Sequence, residues 1–410
     1  MTVAQVSASS LEEFAVLVGT EDPVCVAGGR TQWDVGGLPV NGTREVVAPA
    51  GVLLHEPAEM IVRVRAGTTV AALNSALAEG GQMVPLDPVD PTRATVGGVL
   101  AVGHSGLRRL RYGPVRDTVL EARFVSGAGR LIKAGGPVVK NVTGFDLCRL
   151  LVGSLGTLGL LAEFVLRCQP VPSVSRWLQS VEPDSVDPFE VFGRLYRASS
   201  VLWDGHQVSV LLEGHPDDVD AQAREVLGPA FAEVAGPPDL PVGGRLSLPP
   251  GSLRDLPVPP TAPAGRARPG ESAADWSAWP PGSPALTAGP PGPPGPPGSA
   301  GPGGSAAIPA DRSAGPPGSP AATAGPPRPP VSAGPAGSVS AAAQPGEVGG
   351  WLAEVGVGTV YATNPATLAA AVGAAWPRGM ALGVAALHQE LKRRFDPDGR
   401  LNPGRNVARA

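Results

Sequence analysis

The residues of this chain whose types and spacing could do chemistry are glycines set among hydroxyl and small apolar residues. The densest stretch, Lys140-Asn-Val-Thr-Gly-Phe-Asp-Leu-Cys-Arg-Leu-Leu-Val-Gly-Ser-Leu-Gly-Thr-Leu-Gly-Leu-Leu-Ala-Glu163, carries Gly144, Gly153, Gly156 and Gly159. Glycine has no Cβ and tolerates positive φ, so main-chain amides can close on a pyrophosphate or a flat ring system. Four glycines equally suit a turn-rich loop that binds nothing, so the stretch gains weight only from its companions. There are three: Val26-Ala-Gly-Gly-Arg-Thr-Gln32 followed by Gly36-Gly37; Pro85-Leu-Asp-Pro88 followed by Ala94-Thr-Val-Gly-Gly-Val-Leu-Ala-Val-Gly-His-Ser-Gly106; and Tyr112-Gly-Pro-Val-Arg-Asp117, which runs into a β-rich segment and the hairpin signal Gly127-Ala-Gly129. A dinucleotide fold of the Rossmann kind is excluded, because no Gly-x-Gly-x-x-Gly opens a helix after a first strand with an acidic residue about 20 positions on. The phosphate loop ending in Gly-Lys-Ser/Thr is also absent from the sequence.

The elements that must position these loops are legible from periodicity. Val24 to Ala27, Ile61 to Val64, Val119 to Val125 and Leu161 to Leu166 read as strands, and Val70 to Glu79 reads as a helix that stops at Gly80-Gly81. Beyond about Ser175, Pro188 to Ser200 and Asp217 to Leu227 read as helices and Gln207 to Leu212 as a strand; near the end, Gly358 to Ala362 reads as a strand, with helices over Pro365 to Ala375 and Ala385 to Phe395. Thirty of the chain's 49 prolines fall between Pro237 and Pro345, so that segment cannot bury enough apolar area to fold and is expected to be a disordered insertion. Its Gly289-Pro-Pro-Gly-Pro-Pro-Gly-Pro-Pro-Gly298 run breaks too soon for a collagen helix. A chain of 410 residues exceeds one core, and a net charge of −4 without a basic block argues against nucleic acid. Cys25, Cys148 and Cys168 are isolated, which implies a reducing compartment and no structural metal. The N-terminus carries Glu12 and Glu13 where a signal peptide would be apolar, and no run is long enough to cross a bilayer, so the expectation is a cytoplasmic chain without direct membrane insertion.

Taken in order, the four glycine elements, the Lys140 to Asp146 and Gly153 to Gly159 motifs, and the ending Phe395-Asp-Pro-Asp-Gly-Arg-Leu-Asn-Pro-Gly-Arg405 resemble the FAD-linked oxidases of the vanillyl-alcohol-oxidase / p-cresol-methylhydroxylase type. Within these, the chain is most similar to the FAD-binding E subunits of bacterial glycolate oxidases. The likeness covers roughly residues 1–235 and 348–410. It implies an α+β protein: a two-subdomain FAD-binding domain of the p-cresol-methylhydroxylase type over residues 1–172, a cap domain over 173–236, a disordered Pro/Gly/Ala-rich insertion over 237–347, and the rest of the cap with a C-terminal return to the flavin domain over 348–410. The resemblance assigns Gly28, Gly29, Arg30 and Thr31 to a first pyrophosphate loop; Thr95, Gly97, Gly98, Ser105 and Gly106 to a second; Gly153, Ser154, Gly156, Thr157 and Gly159 to a segment near adenine and pyrophosphate; and Asn402, with Pro403 and Gly404, to the returning terminus. Asp146 and Arg149 are expected to brace the third loop.

The function so implied is that of an FAD-carrying subunit of glycolate oxidase, oxidising glycolate to glyoxylate beside a catalytic flavoprotein subunit and an iron–sulfur subunit, and held at the inner face of the cell membrane only through them. Relatives that oxidise 2-hydroxy acids unaided carry a late His-Glu-x-His cluster, which this sequence lacks, so no catalytic residue is assigned; a self-sufficient 2-hydroxy-acid dehydrogenase and a non-catalytic assembly subunit remain the alternatives. Among the scattered histidines His104, inside the second glycine element, is the one of interest. Arg108, Arg109 and Arg111 read either as an anion-attracting patch or as a solvated charge run. Cys25 and Cys148 read as buried small residues, Trp351 and Trp376 as core or interface residues. Where some relatives attach FAD through a histidine after the first two glycines, this chain has Arg30, so FAD is expected to be non-covalent. Denaturing electrophoresis should separate flavin from chain, and a yellow band that survives it would contradict this.

Overall fold

The computed structural model describes residues 6–136, 146–241, 243–259, 349–373 and 382–407. Lys140 to Phe145 of the fourth glycine element, Trp376, and residues 260–348 of the Pro-rich stretch lie outside the described residues. A three-stranded parallel sheet orders Val6–Ser7, Arg44–Val47 and Val24–Val26. Beside it a five-stranded antiparallel sheet runs Val52–Glu56, Ile61–Arg65, Leu160–Arg167, Val119–Val125, Leu131–Gly135. Strand Leu160–Arg167 is buried on both faces from Leu160 to Leu166, which is why its sequence is apolar without the alternation of a half-exposed strand save for Glu163, which is buried in an ion pair with Arg63 at 3.0 Å.

A seven-stranded antiparallel sheet starts at Val174. Its order is Phe231–Val234, Val174–Ser180, Val208–Gly214, Ser200–Trp203, Trp351–Glu354, Thr359–Ala362, Gly244–Ser247. The last of these strands corrects the expected insertion boundary at 237. Arg245, Leu246 and Ser247 pair antiparallel with Tyr361, Val360 and Thr359, and Leu246, Leu248, Leu253 and Leu256 are buried with Trp351, so alternating leucines here outweigh the neighbouring prolines. Three helices are also shorter than expected, one of them Pro365–Ala371, which ends four residues before Ala375. Pro188–Arg194 ends before the extended Leu195, because Ser200–Trp203 is drawn into the sheet, and Pro216–Ala221 passes into a wider π turn over Gln222–Leu227 that Gly228 terminates at φ 59°.

Three polar devices fix the loops near the glycine elements. Ser10 caps helix Leu11–Val18 by accepting from the Glu13 amide at 3.0 Å, Thr69 caps Val70–Ala78, and Thr95 caps Val96–Val102 by accepting from the Gly98 amide at 3.1 Å. Asp146 caps Leu147–Leu151, while Arg149 spans it to Asp117 at 2.9 Å, so these two do brace the start of the third loop. The C-terminal turn is more than a turn. Leu401 bridges Val24 in parallel, and the side chain of Asp396 accepts from the amides of Arg400 and Leu401 at 3.2 and 2.9 Å. Arg400, 2% exposed, donates to the carbonyls of Gly127, Asp22, Val18 and Gly19, two of which end helix Leu11–Val18. Among the described residues no helix is long and apolar enough to cross a membrane.

Arg400→Met would keep the apolar stem and strip the Gly127, Asp22 and Gly19 carbonyls of their donor, while Val18 keeps that of Arg44. Buried acceptors left unpaired cost roughly 1–3 kcal/mol each before relaxation, so a total loss of about 3 kcal/mol or more is expected. Urea unfolding should show it as a lower midpoint with an unchanged slope.

Candidate functional site

The first, second and fourth glycine elements converge on one cavity of about 280 Å3 between the three-stranded sheet, helix Val96–Val102 and the inner edge of the seven-stranded sheet, while Tyr112 to Asp117 does not line it. Strand Val24–Val26 opens into the first loop, where Arg30 takes φ 57°. Among the described residues the main-chain amides of Gly28, Gly29, Arg30 and Thr31 donate to no protein acceptor, and the same holds for His104, Ser105 and Gly106 in the second loop. Successive unpaired amides along a concave wall make an anion cradle.

The missing Cβ atoms serve chain-to-chain approach. A Cβ on Gly29 would stand 1.7 Å from the Arg93 carbonyl oxygen, on Gly28 2.5 Å from Thr95 Oγ1, on Gly97 2.7 Å from Ala66 Cβ, and on Gly106 2.3 Å from Asp87 Cβ. Side chains there would pry the loops apart. The glycines therefore make the cradle by letting loops from distant parts of the chain touch.

Gly28, Gly29, Arg30 and Thr31 line the cavity, as do Thr95, Gly97 and Gly98 at the helix N-terminus and Ser105 and Gly106 after it. Gly156 and Asn402 line it together. Asn402, at φ 46°, donates from Nδ2 to the Leu155 carbonyl at 3.0 Å, and any Cβ on Gly156 would lie 2.3 Å from that nitrogen. Gly153, Ser154, Thr157 and Gly159 are elsewhere. The amides of Gly153, Ser154 and Thr157 are committed to Leu100, Leu151 and Ser154 carbonyls, and Gly159 presses on the Phe124 ring, so this part of the third loop is a structural turn against helix Val96–Val102 and the five-stranded sheet.

Sequence reasoning missed Trp33, Arg405, Arg245 and Tyr361 in the cavity wall. Trp33 is approached by two guanidinium groups, Arg30 at 4.4 Å and Arg405 at 4.7 Å from its ring centroid, and Arg30 also pairs with Glu45. The alternation in Arg245-Leu-Ser-Leu248 was the available signal for the edge strand that brings Arg245 and, opposite it, Tyr361. The arginine patch is corrected. Arg108, 2% exposed, is neither solvated nor open to an anion but holds Asp87 at 3.1 Å and Glu213 at 2.9 Å, and Arg111 donates to the Glu213 carbonyl. One cation between two carboxylates leaves a negative charge short of compensation, and burial raises the pKa of Asp87 despite Arg108. Asp87 Oδ2 is buried without a hydrogen-bond partner at the cavity wall. His104, at the same wall, is pushed down to about 3 by burial and then by Arg245. Cys25, Cys148 and Cys168 are buried free thiols, and Trp351 stacks edge-on with Trp203 in the core.

The family described as FAD binding domain matches residues 10–135, which include the first two loops of the cradle. Residues 10–135 are an FAD binding domain. The glycolate oxidase subunit GlcE of Escherichia coli is 34% identical over 54% of this chain and 64% of its own length. D-2-hydroxyglutarate dehydrogenase of Xanthomonas citri is 31% identical over 46% of the chain and 40% of its length, and the glycolate oxidase subunit GlcD of Bacillus subtilis 34% over 31% and 27%. The chain thus spans less than two thirds of the length of these curated relatives. A solved alkyldihydroxyacetonephosphate synthase superposes with a TM-score of 0.48 at 19% identity over 57% of this chain and 52% of that one.

The residues present fit FAD. The unpaired amides suit a pyrophosphate, and the orphaned Asp87 carboxyl offers a polar partner to a ring or ribityl group. Gly29→Ala should abolish flavin retention and lower the melting temperature, whereas Gly193→Ala, in a helix with open space at its Cβ, should leave flavin retention intact and be neutral or slightly stabilising. The flavin-to-protein ratio of the two purified variants checks this.

Proposed function

We propose that this chain is the FAD-binding subunit of a multi-subunit glycolate oxidase, with FAD held non-covalently, and that electrons from glycolate pass onward to an iron–sulfur partner subunit beside a catalytic flavoprotein subunit. The observation that carries the reading is the cradle of unpaired amides on Gly28 to Thr31 and His104 to Gly106, closed on one side by a separate β-sheet. In this reading residues up to about 172 are the flavin domain, and the seven-stranded sheet from Val174 to Ala362 is the cap. The terminus from Phe395 onward returns to the flavin domain through Leu401 and Asn402. The likeness to GlcE and to hydroxy-acid dehydrogenases supports the substrate class.

Bound FAD supplies a two-electron acceptor for the hydride of the carbon bearing the hydroxyl. This chain's own residues hold and orient: the first and second loops fix the diphosphate, and the cap sheet excludes water from the far wall. Taking the hydroxyl proton needs a base of suitable strength. His104, held neutral to a pKa of about 3, is too weak a base for that, which favours a subunit reading over a self-sufficient dehydrogenase. Attachment to the cell membrane in this reading is peripheral and runs through the partners.

Expression of the chain with and without its partner subunits, assayed with a dye acceptor, tests the assignment. A yellow chain that turns glycolate over only in the assembled complex is the expected result. Full turnover by the chain alone would make it a self-sufficient dehydrogenase, and a colourless chain in both preparations would remove the flavin.

A further inference from the structure

Arginines enter the cavity wall from three parts of the chain, and they differ in what answers their charge. Arg30 of the first loop pairs with Glu45, and Arg245 of the cap sheet is tied to the Ser105 carbonyl beside the Tyr361 ring. Arg405 comes from the returning terminus, whose backbone is pinned on both sides of it. The Asn402 amide donates to the Val24 carbonyl at 2.8 Å, the Val40 amide to the Pro403 carbonyl at 2.9 Å, and the Asn406 amide to the Gly36 carbonyl at 2.7 Å. The Arg405 guanidinium itself donates to the Val35 carbonyl at 2.7 Å and lies 4.7 Å from the Trp33 ring centroid. Both contacts set the direction of the cation and neither cancels its charge. Among the described residues Arg405 makes no ion pair with a carboxylate. Asp34, whose charge acts on it, is exposed to water, and the neighbouring Cys25 is a neutral thiol, pushed up to about 11 chiefly by burial. Burial is also the largest influence on Arg405 and acts against its charge. A directed, partly buried cation in the same wall as the unpaired amides of Gly28 to Thr31 calls for an anion, and the fork of donors on a guanidinium matches phosphate oxygens.

We propose that Arg405 is the counter-charge for the diphosphate of the bound dinucleotide, completing from the C-terminal tail the anion cradle of the first loop. The assignment rests on the reading of the cavity as the flavin site. It adds a binding residue 270 positions beyond the end of the matched FAD binding domain, which stops at residue 135, so that cofactor retention depends on the end of the chain. Trp33 is a positioning residue in this arrangement, since its ring and the Val35 carbonyl hold the guanidinium in place.

Titration of the flavin-stripped full chain with FAD at a series of NaCl concentrations, followed by flavin fluorescence and repeated for Arg405→Met and Arg405→Lys, tests the counter-charge. Wild-type affinity is expected to fall as salt rises, because ions screen the pairing. Arg405→Met should bind roughly tenfold or more weakly at low salt and respond less to salt. Arg405→Lys keeps a point charge and should lie between the two in affinity, with the wild-type salt response. A purely structural role for Arg405 would weaken binding without changing the salt response. That outcome, equal affinity in all three chains, or a wild-type affinity indifferent to salt would overturn the counter-charge and leave the flavin reading standing. Where the methionine variant binds no FAD, the lysine variant decides: binding with the wild-type salt response supports the pairing, and a loss as complete as that of the methionine variant overturns it. A wild-type chain that binds no FAD would instead overturn the flavin reading and the counter-charge with it.

Discussion

The structure depends on how closely separate stretches of backbone can approach one another at the cavity. Gly29 rests on the Arg93 carbonyl, Gly97 on Ala66 and Gly106 on Asp87, each at a distance no Cβ permits. Dispersion acts there together with hydrogen bonds, since the Gly97 amide donates to the Ala66 carbonyl at 2.8 Å and Arg93 donates to the Gly29 carbonyl at 3.3 Å. Among the described residues the amides of Gly28 to Thr31 and His104 to Gly106, on residues that line the cavity, donate to no protein acceptor. An unpaired amide is costly in an apolar interior, so such a wall is stable only where water or an anion reaches it. The loops that these glycines let touch thus carry amides whose demand water or an anion would meet.

Charge plays the corresponding part on the cap side. Arg108 leaves the second loop to reach Glu213 of the seven-stranded sheet while also holding Asp87, and Leu107 enters the apolar cluster of Trp177, Leu202, Leu211 and Tyr361. A buried ion pair is weak evidence for net stability, because desolvation offsets most of the attraction. Its effect is geometric: breaking either partner would strand a charge, so the loop and the sheet keep one relative placement. Arg245 makes a second tie to the same loop at the Ser105 carbonyl. The far wall of the cavity is therefore positioned by two arginines of opposite origin, one from each layer.

Much of this was legible in the sequence, and what was not has physical causes. The strands from Val24, Ile61, Val119 and Leu160 and the helix from Val70 stand out because burial imposes periodicity or unbroken apolarity on them. The first two loops line the cavity together, and their paired glycines gained weight in the sequence only from standing in order with the other elements. The third loop misled: Gly153 and Gly159 satisfy backbone and aromatic packing, and a glycine's sequence context does not say which neighbour it accommodates. Composition misled at 244–256, where four leucines sit among prolines that averaged them away. Arg108 and Arg245 were illegible in kind, since their contacts with Glu213 and the Ser105 carbonyl join residues more than 100 positions apart.

The C-terminal segment shows why the cavity and the fold cannot be separated energetically. Lys392 donates to the carbonyls of Thr157 and Leu401 at 2.9 and 2.8 Å and pairs with Asp396, so helix Leu382–Phe395 is fastened to the third loop from below. From there Leu401 joins strand Val24–Val26 in parallel and Asn402 reaches the Leu155 carbonyl at the cavity wall. Arg405 then stacks on Trp33 of the first loop. One short stretch of chain therefore contacts the first loop, the third loop and the helix ends beneath them. Ligand contacts to the first loop would be felt through Trp33 and Arg405 by this terminus, and its docking would in turn hold the first loop in place. By linkage, any ligand that binds only the docked state stabilises the docked terminus by the same free energy. The cofactor and the last residues of the chain thus act as joint fasteners of one loop, although they approach it from opposite ends of the sequence.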